Sequence, residues 1–398
     1  MEPIFVTGAG VVSAIGVGKE ETLRSLRSGI TGIREMQFLP SCHRDLPVGE
    51  IRLSNEEMKV MLGPEDDPLL TRNALIGRLA LREALQDACL DAKTIEMAHL
   101  VSATTVGGMD RREVLHAGEK DGDSLRAAIA TYNCADCTEM IAEPFGHFAS
   151  LSTVSTACSS ATNAIITGAN MLRCGMADIV VAGGAECLTM FHLNGFNTLM
   201  ILDSHQCKPF DKERAGLNLG EGAAYLVLET AASASKRGVK PLCRLSGFGN
   251  ACDAYHQTAS SPEGEGAVLA MRQALNRANL KPGDIQYVNA HGTGTPNNDE
   301  SESHAIMRVF GEDIPPVSST KSFTGHTTSA SGSIEAVFCI MALEQQFLPV
   351  NLNWHQPMDN GIIPVTNPHP QTELRHVMSN AFGFGGNDSS LILSKVDV

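Results

Sequence analysis

The chain has 398 residues, 43% of them hydrophobic, with 37 Gly and a formal net charge of −15 at pH 7. That length accommodates two domains or two fused halves, and the acidic balance argues against general nucleic-acid binding. No apolar run reaches about 18 residues, so no membrane-spanning helix is expected, and eleven scattered cysteines suit reduced thiols in the cytosol rather than a disulfide framework.

In chain order, Met1 to Val6 reads as the first strand, not a secretory signal, because no basic region precedes an apolar run. The acidic Pro64 to Pro68 reads as a surface turn before a helix starting near Leu70. His99 to Gly108 reads as a strand entering a glycine turn. Cys134 and Cys137 form a lone CxxC with no second ligand pair, which does not suit structural zinc. Val154 to Thr162 then places Cys158 between a β-prone segment and a small-residue helix running to Leu172. Unpaired N–H groups at that helix start favour an ionised, nucleophilic thiol. Strands over Asp178 to Gly184 and Ala223 to Glu229 close the first half.

The pattern repeats after a boundary near Lys240 to Leu245. Gln286 to Gly294 is again a strand running into a glycine turn. Ser319-Thr320-Lys321-Ser322 takes the place of the Cys158 turn, before a small-residue run to Leu343. Strands at His376 to Phe382 and Ser389 to Ser394 close the second half. Strands alternating with helices predict an α/β protein of mainly parallel sheets in two similar halves meeting face to face, 1–242 and 243–398.

Three junctions in the second half carry polar groups. His291 ends a strand before Gly292-Thr293-Gly294, where parallel-sheet proteins place ligands. Lys321 and His326 flank a predicted helix start. Asn380 to Asp388 contains FGFGG, whose glycines let backbone N–H groups approach a substrate. A Cys with two His suits acyl transfer through a thioester, the imidazoles donating to a carbonyl that becomes negative. Basic segments available to an acidic partner are Arg111-Arg112, Lys208 to Arg214, and Lys236-Arg237.

TACSS around Cys158, NAHGTGTPNND around His291, TKSFTGH with Lys321 and His326, and the FGFGG loop together resemble the β-ketoacyl-acyl carrier protein synthases. The likeness runs from Val6 to Ile392 and includes PFDKER at Pro209 to Arg214. It implies a thiolase-like fold, two duplicated βαβαβαββ halves stacked as five αβαβα layers. It also implies that Cys158 accepts an acyl chain and that His291 and His326 stabilise the enolate from a decarboxylating malonyl thioester. Backbone N–H groups of Cys158 and Phe384 would form the oxyanion hole. By the same resemblance Lys321 is structural and paired with Glu335, Asp299 and Glu302 are acidic positions near the catalytic histidine, Phe384 is a gate and Phe196 lines the acyl pocket. No cofactor or metal is required. The expected partners are acyl carrier protein and a second subunit, as a homodimer or a heterodimer with a chain-length-factor-like chain.

Three features depart from the family pattern. Asn387-Asp388 replaces Thr-Asn, Thr327 to Ser331 is polar where an apolar, Gly-containing run is usual, and Pro64 to Pro68 is acidic where carrier-docking residues are usually basic. These lean toward type II polyketide or polyene assembly over housekeeping fatty-acid synthesis. A dinucleotide-binding dehydrogenase fails because Ser13 stands where the third Gly of GxGxxG belongs and no Tyr is followed by Lys four residues on. A degradative thiolase needs a second Cys in the last glycine loop, but the final Cys is Cys339. A non-catalytic chain-length factor is the rival reading; such subunits lack the nucleophilic Cys.

Overall fold

The computed structural model describes residues 2–63, 70–111, 113, 132–369 and 373–396. Strand β1 (Ile4–Ser13) makes a short ribbon with β2 (Gly16–Val17). The first half continues with β3 (His99–Ala103), β4 (Ser150–Val154), β5 (Ile179–Glu186) and β6 (Gly222–Thr230). The second half contains β7 (Cys243–Cys252), β8 (Tyr287–Asn289), β9 (Val317–Ser318), β10 (His376–Gly383) and β11 (Asn387–Ser394). Pairing runs β4-β3-β5-β6-β1-β7-β11-β10-β8-β9, so the second half repeats the first in mirror order.

The sheets are mixed, not mainly parallel as expected. β3 pairs in parallel with β4 and β5, but β5–β6 and β6–β1 are antiparallel, and the second half matches. The reason is visible at β10–β11. Gly383 pairs with Asn387, leaving only Phe384-Gly385-Gly386 to reverse the chain, whereas a parallel return needs a long crossover. Gly385 and Gly386 have φ of 82° and 75°, which a residue with a side chain rarely adopts. The two half-sheets also join through β1 and β7, from Ile4↔Leu245 to Val6↔Cys243.

Five layers result. Helix Arg72–Asp87, capped by Thr71 Oγ1 accepting from Ala74 N, packs on β1, β5 and β6. Helix Glu265–Ala278, beside Pro296–Phe310, packs on β7 and β11 at the opposite outer face. Between the sheets lie helices Ser160–Arg173 and Ser331–Gln345, side by side. Their small residues permit this: a Cβ on Gly332 would stand 1.9 Å from Thr162 Oγ1. Apolar clusters fill each interface, with Ile165 and Phe338 in the centre, Leu75 and Leu79 outside the first half and Met271 and Ile306 outside the second.

The acidic Pro64 to Pro68 turn and Arg112 lie outside the described residues. Cys134 and Cys137 are free thiols on helix Cys134–Ala142. Among the described residues, no helix is long and apolar enough to cross a membrane.

Candidate active site

Cys158 sits where expected, between β4 and helix Ser160–Arg173, whose N-cap is Ser159. The turn is held open against its preference. Ala157 has φ of 51°, costly for a residue with a Cβ. Thr156 N donates to Ser160 Oγ at 2.8 Å, while Ser159 Oγ donates to Thr156 O at 2.8 Å and Ser160 Oγ to Ala157 O at 2.5 Å. The glycine loop closes on this turn. A Cβ at Gly383 would stand 3.0 Å from Thr156 O and 3.2 Å from Cys158 N.

The thiol is not ionised at rest, contrary to the expectation from its helix-start position. Burial pushes it up to about 11; the charge of Lys321 and the N–H groups of Phe384 and Cys158 pull the other way without overcoming desolvation. Nucleophilic attack therefore needs a nearby base.

Two imidazoles meet that need. His291 follows β8, and His326 follows the one-turn helix Lys321–Thr324. One donor atom from each of Cys158, His291 and His326 lies within 4.8 Å of the others. The rings cross edge to face, 5.2 Å between centroids. Burial holds both well below the usual imidazole value, reinforced by the charge of Lys321. Both are therefore neutral, each with a ring nitrogen able to accept a proton and an N–H able to donate.

The acidic neighbours position this pair. Glu302 accepts from His291 N at 2.8 Å and Gly292 N at 2.7 Å. Asp299 accepts from Phe210 N at 2.8 Å and Gly294 N at 3.1 Å, fixing the glycine turn to the PFDKER segment. Lys321 Nζ donates to Glu335 Oε1 at 2.6 Å, both side chains buried. His326 is oriented by Nδ1 at 3.0 Å from Ser331 Oγ and by backbone pairing with Asn218 and Gly220.

The departures from the family pattern have partners here. Asn387 Oδ1 accepts from Asn163 Nδ2 at 2.7 Å and Asn250 Nδ2 at 2.9 Å and lies 2.9 Å from Ser159 Oγ, whose one proton it shares with Thr156 O, tying the glycine loop to the nucleophile helix. The polar run after His326 meets Glu186, which sequence reasoning missed. Fully buried, Glu186 accepts from Thr104 Oγ1 (2.8 Å), Val106 N (3.1 Å), Thr328 Oγ1 (3.1 Å) and Ser329 N (3.3 Å). Its one signal was a carboxylate ending the apolar run of β5.

Above the trio lies a cavity of about 390 Å³, walled by Phe196, Met200, Leu217, Phe382 and Phe384. Phe384 stacks on Phe196, ring centroids 5.7 Å apart at 19°. Four cations of the second and third basic segments are ion-paired. Lys208 pairs with Glu213, Lys212 with Asp359, Arg214 with Asp299 and Arg237 with Glu229.

Comparison with known proteins agrees with this geometry. The family model for the N-terminal domain of β-ketoacyl synthase matches residues 1–234 and that for the C-terminal domain matches 242–355. A 3-oxoacyl-[acyl-carrier-protein] synthase 2 of Staphylococcus aureus (strain COL) is 31% identical over 411 residues, covering 99% of this chain and 98% of its own. The structure titled the ishigamide ketosynthase/chain length factor superposes with a TM-score of 0.92 at 30% identity, covering both chains fully. A ketosynthase in complex with its chain length factor from Xenorhabdus doucetiae gives 0.84 at 30% identity, covering 99% of this chain and 98% of that one. With its paired half-sheets and its Cys, His, His cluster under a glycine loop, the chain belongs to the β-ketoacyl synthase family.

Proposed function

We propose that the protein catalyses decarboxylative Claisen condensation of a Cys158-bound acyl thioester with malonyl-acyl carrier protein, giving a 3-oxoacyl-acyl carrier protein. The observation that carries this is the meeting of Cys158, His291 and His326 within 4.8 Å beneath a cavity lined both by Phe196, Phe382 and Phe384 and by Thr293, Thr295 and Asn298. In the first step a neutral imidazole takes the Cys158 proton as sulfur attacks the incoming acyl thioester. The N–H groups of Cys158 and Phe384 hold the oxyanion, and the carrier thiol leaves with a proton. A malonyl thioester then enters. Its C–C bond breaks to release carbon dioxide, and the electron pair becomes an enolate whose oxygen accepts from His291 and His326. The enolate carbon attacks the acyl carbonyl, the bond to Cys158 sulfur breaks, and the departing thiolate takes a proton from water, replacing the one that left with the carrier thiol. Phe384, between flexible glycines, swings off Phe196 to admit the chain.

The partners in this reading are acyl carrier protein and a second related subunit, in the cytosol. Two structural neighbours bear titles naming a chain length factor, which favours a heterodimer in a polyketide or polyene pathway. The chain is the catalytic member because it retains Cys158. Supplying acyl- and malonyl-acyl carrier protein should yield carbon dioxide and the 3-oxoacyl product. Substituting His326→Ala should slow condensation more than acyl loading. Turnover unaffected by Cys158→Ala would defeat the assignment.

A further inference from the structure

At the end of the molecule remote from Cys158, three arginines converge on a cleft of about 240 Å³. Arg173 is the last residue of the nucleophile helix, Arg244 lies on β7, and Arg277 is in the last turn of helix Glu265–Ala278. The guanidiniums of Arg173 and Arg277 both stand over the buried ring of Phe248, 4.4 Å and 4.7 Å from its centroid. Arg277 Nη1 donates to Phe248 O at 2.9 Å, and Arg244 Nε donates to Ser246 Oγ at 2.8 Å. None of the three has a carboxylate partner among the described residues. Arg173 Nε is buried with no acceptor among the described residues. Among the described residues the one acid on the rim, Glu2, already accepts from Ala232 N at 3.2 Å through Oε1.

Such an arrangement is costly alone. Like charges repel across a partly desolvated cleft, and the Arg173 guanidinium is depressed by burial and by Arg277. The carbonyl ends of two helices offset part of this, but they leave Arg173 Nε unsatisfied. A tetrahedral dianion supplies what is missing: two negative charges and enough oxygens to serve three guanidinium forks. A carboxylate offers one charge and two oxygens. In a chain of net charge −15 the long-range field repels anions, so occupancy depends on these local contacts.

We propose that Arg173, Arg244 and Arg277 form a binding site for a phosphate group, either free or as a phosphomonoester. It is separate from the acyl site. The 14-residue helix Ser160–Arg173 spans about 21 Å between the Cys158 turn and this cleft.

Isothermal titration of the full chain with inorganic phosphate, and separately with glycerol 3-phosphate, at constant ionic strength tests this. Saturable binding that chloride does not reproduce, weakened at least tenfold in Arg173→Gln and in Arg244→Gln, is expected. Tighter binding of the ester assigns the source to a phosphorylated metabolite; equal binding assigns the site to the phosphate group itself. Phenylglyoxal labelling of the unsubstituted protein, mapped by mass spectrometry, needs no variant: phosphate should shield Arg173 and Arg277. No saturable binding, binding unchanged in both variants, or labelling of these arginines unaffected by phosphate would overturn the site.

Discussion

Replacing Lys321 with Met keeps the side chain's length and removes its charge. Lys321 Nζ lies 2.6 Å from Glu335 Oε1, with side chains 1% and 4% exposed, and Glu335 Oε2 has no hydrogen-bond partner among the described residues. Deleting one member of a buried pair costs about 3–5 kcal/mol because the other charge is stranded. Burial already pushes Glu335 up to about 7 while Lys321 pulls it down. In Lys321→Met it rises further, so the folded state holds a proton the unfolded state has released. Stability of the variant therefore falls as pH climbs from the unfolded carboxyl value through the folded one. Urea denaturation should show the loss largest near pH 8.5 and smallest near pH 5, and the double variant Lys321→Met, Glu335→Gln should recover most of it. A second readout is chemical. Lys321 lowers the Cys158 thiol, so alkylation of Cys158 at fixed pH should slow on the order of tenfold for each unit gained. A loss independent of pH, equal in the single and double variants, with unchanged alkylation, would refute the reasoning.

Other expectations follow from the surroundings of the trio. Burial, then Asp253 and Glu302, push Asp388 up to about 8; as a raised carboxyl it costs stability progressively from about pH 4 to pH 8. Asp388→Asn should thus stabilise the protein more at pH 8 than at pH 5, by calorimetry at both values. Asn387→Ala removes the acceptor that ties the glycine loop to Asn163 and Asn250; because Asn163 Nδ2 keeps Thr156 Oγ1 and Asn250 Nδ2 keeps Ser389 Oγ, the loss is that of net hydrogen bonds, about 1 kcal/mol each, with condensation slowed at least tenfold. Asn387→Thr, which keeps an acceptor oxygen, should retain more of both in parallel denaturation and turnover assays. Because Cys158, His291 and His326 present three ligand atoms within 4.8 Å, added Zn²⁺ should inhibit and shield Cys158 from iodoacetamide, with chelation restoring both.

The parts readable from sequence were those marked by local chemistry. Cys158, His291, Lys321 and His326 each stand at a junction where glycine or small polar residues interrupt an apolar pattern, and the repeat of strand signals exposed the two halves. What depended on distant packing was not readable. The thiol's ionisation was misjudged because the helix-start N–H groups are visible in sequence while full burial is not. Glu186 gathers donors from residues near 104 and 328, far apart in the chain. The run Lys208 to Arg214 looked like a basic patch, yet Lys212 pairs with Asp359, nearly 150 positions on. The mixed sheets followed from a three-residue hairpin whose consequence for strand direction went unread.

The most direct test weighs the enzyme itself. After incubation with an acyl-acyl carrier protein, intact-mass and peptide mapping should find the acyl group on Cys158 among the eleven cysteines, and malonyl-acyl carrier protein should discharge it. An acyl group carried elsewhere, or a Cys158 adduct that malonyl-acyl carrier protein leaves in place, would contradict the account.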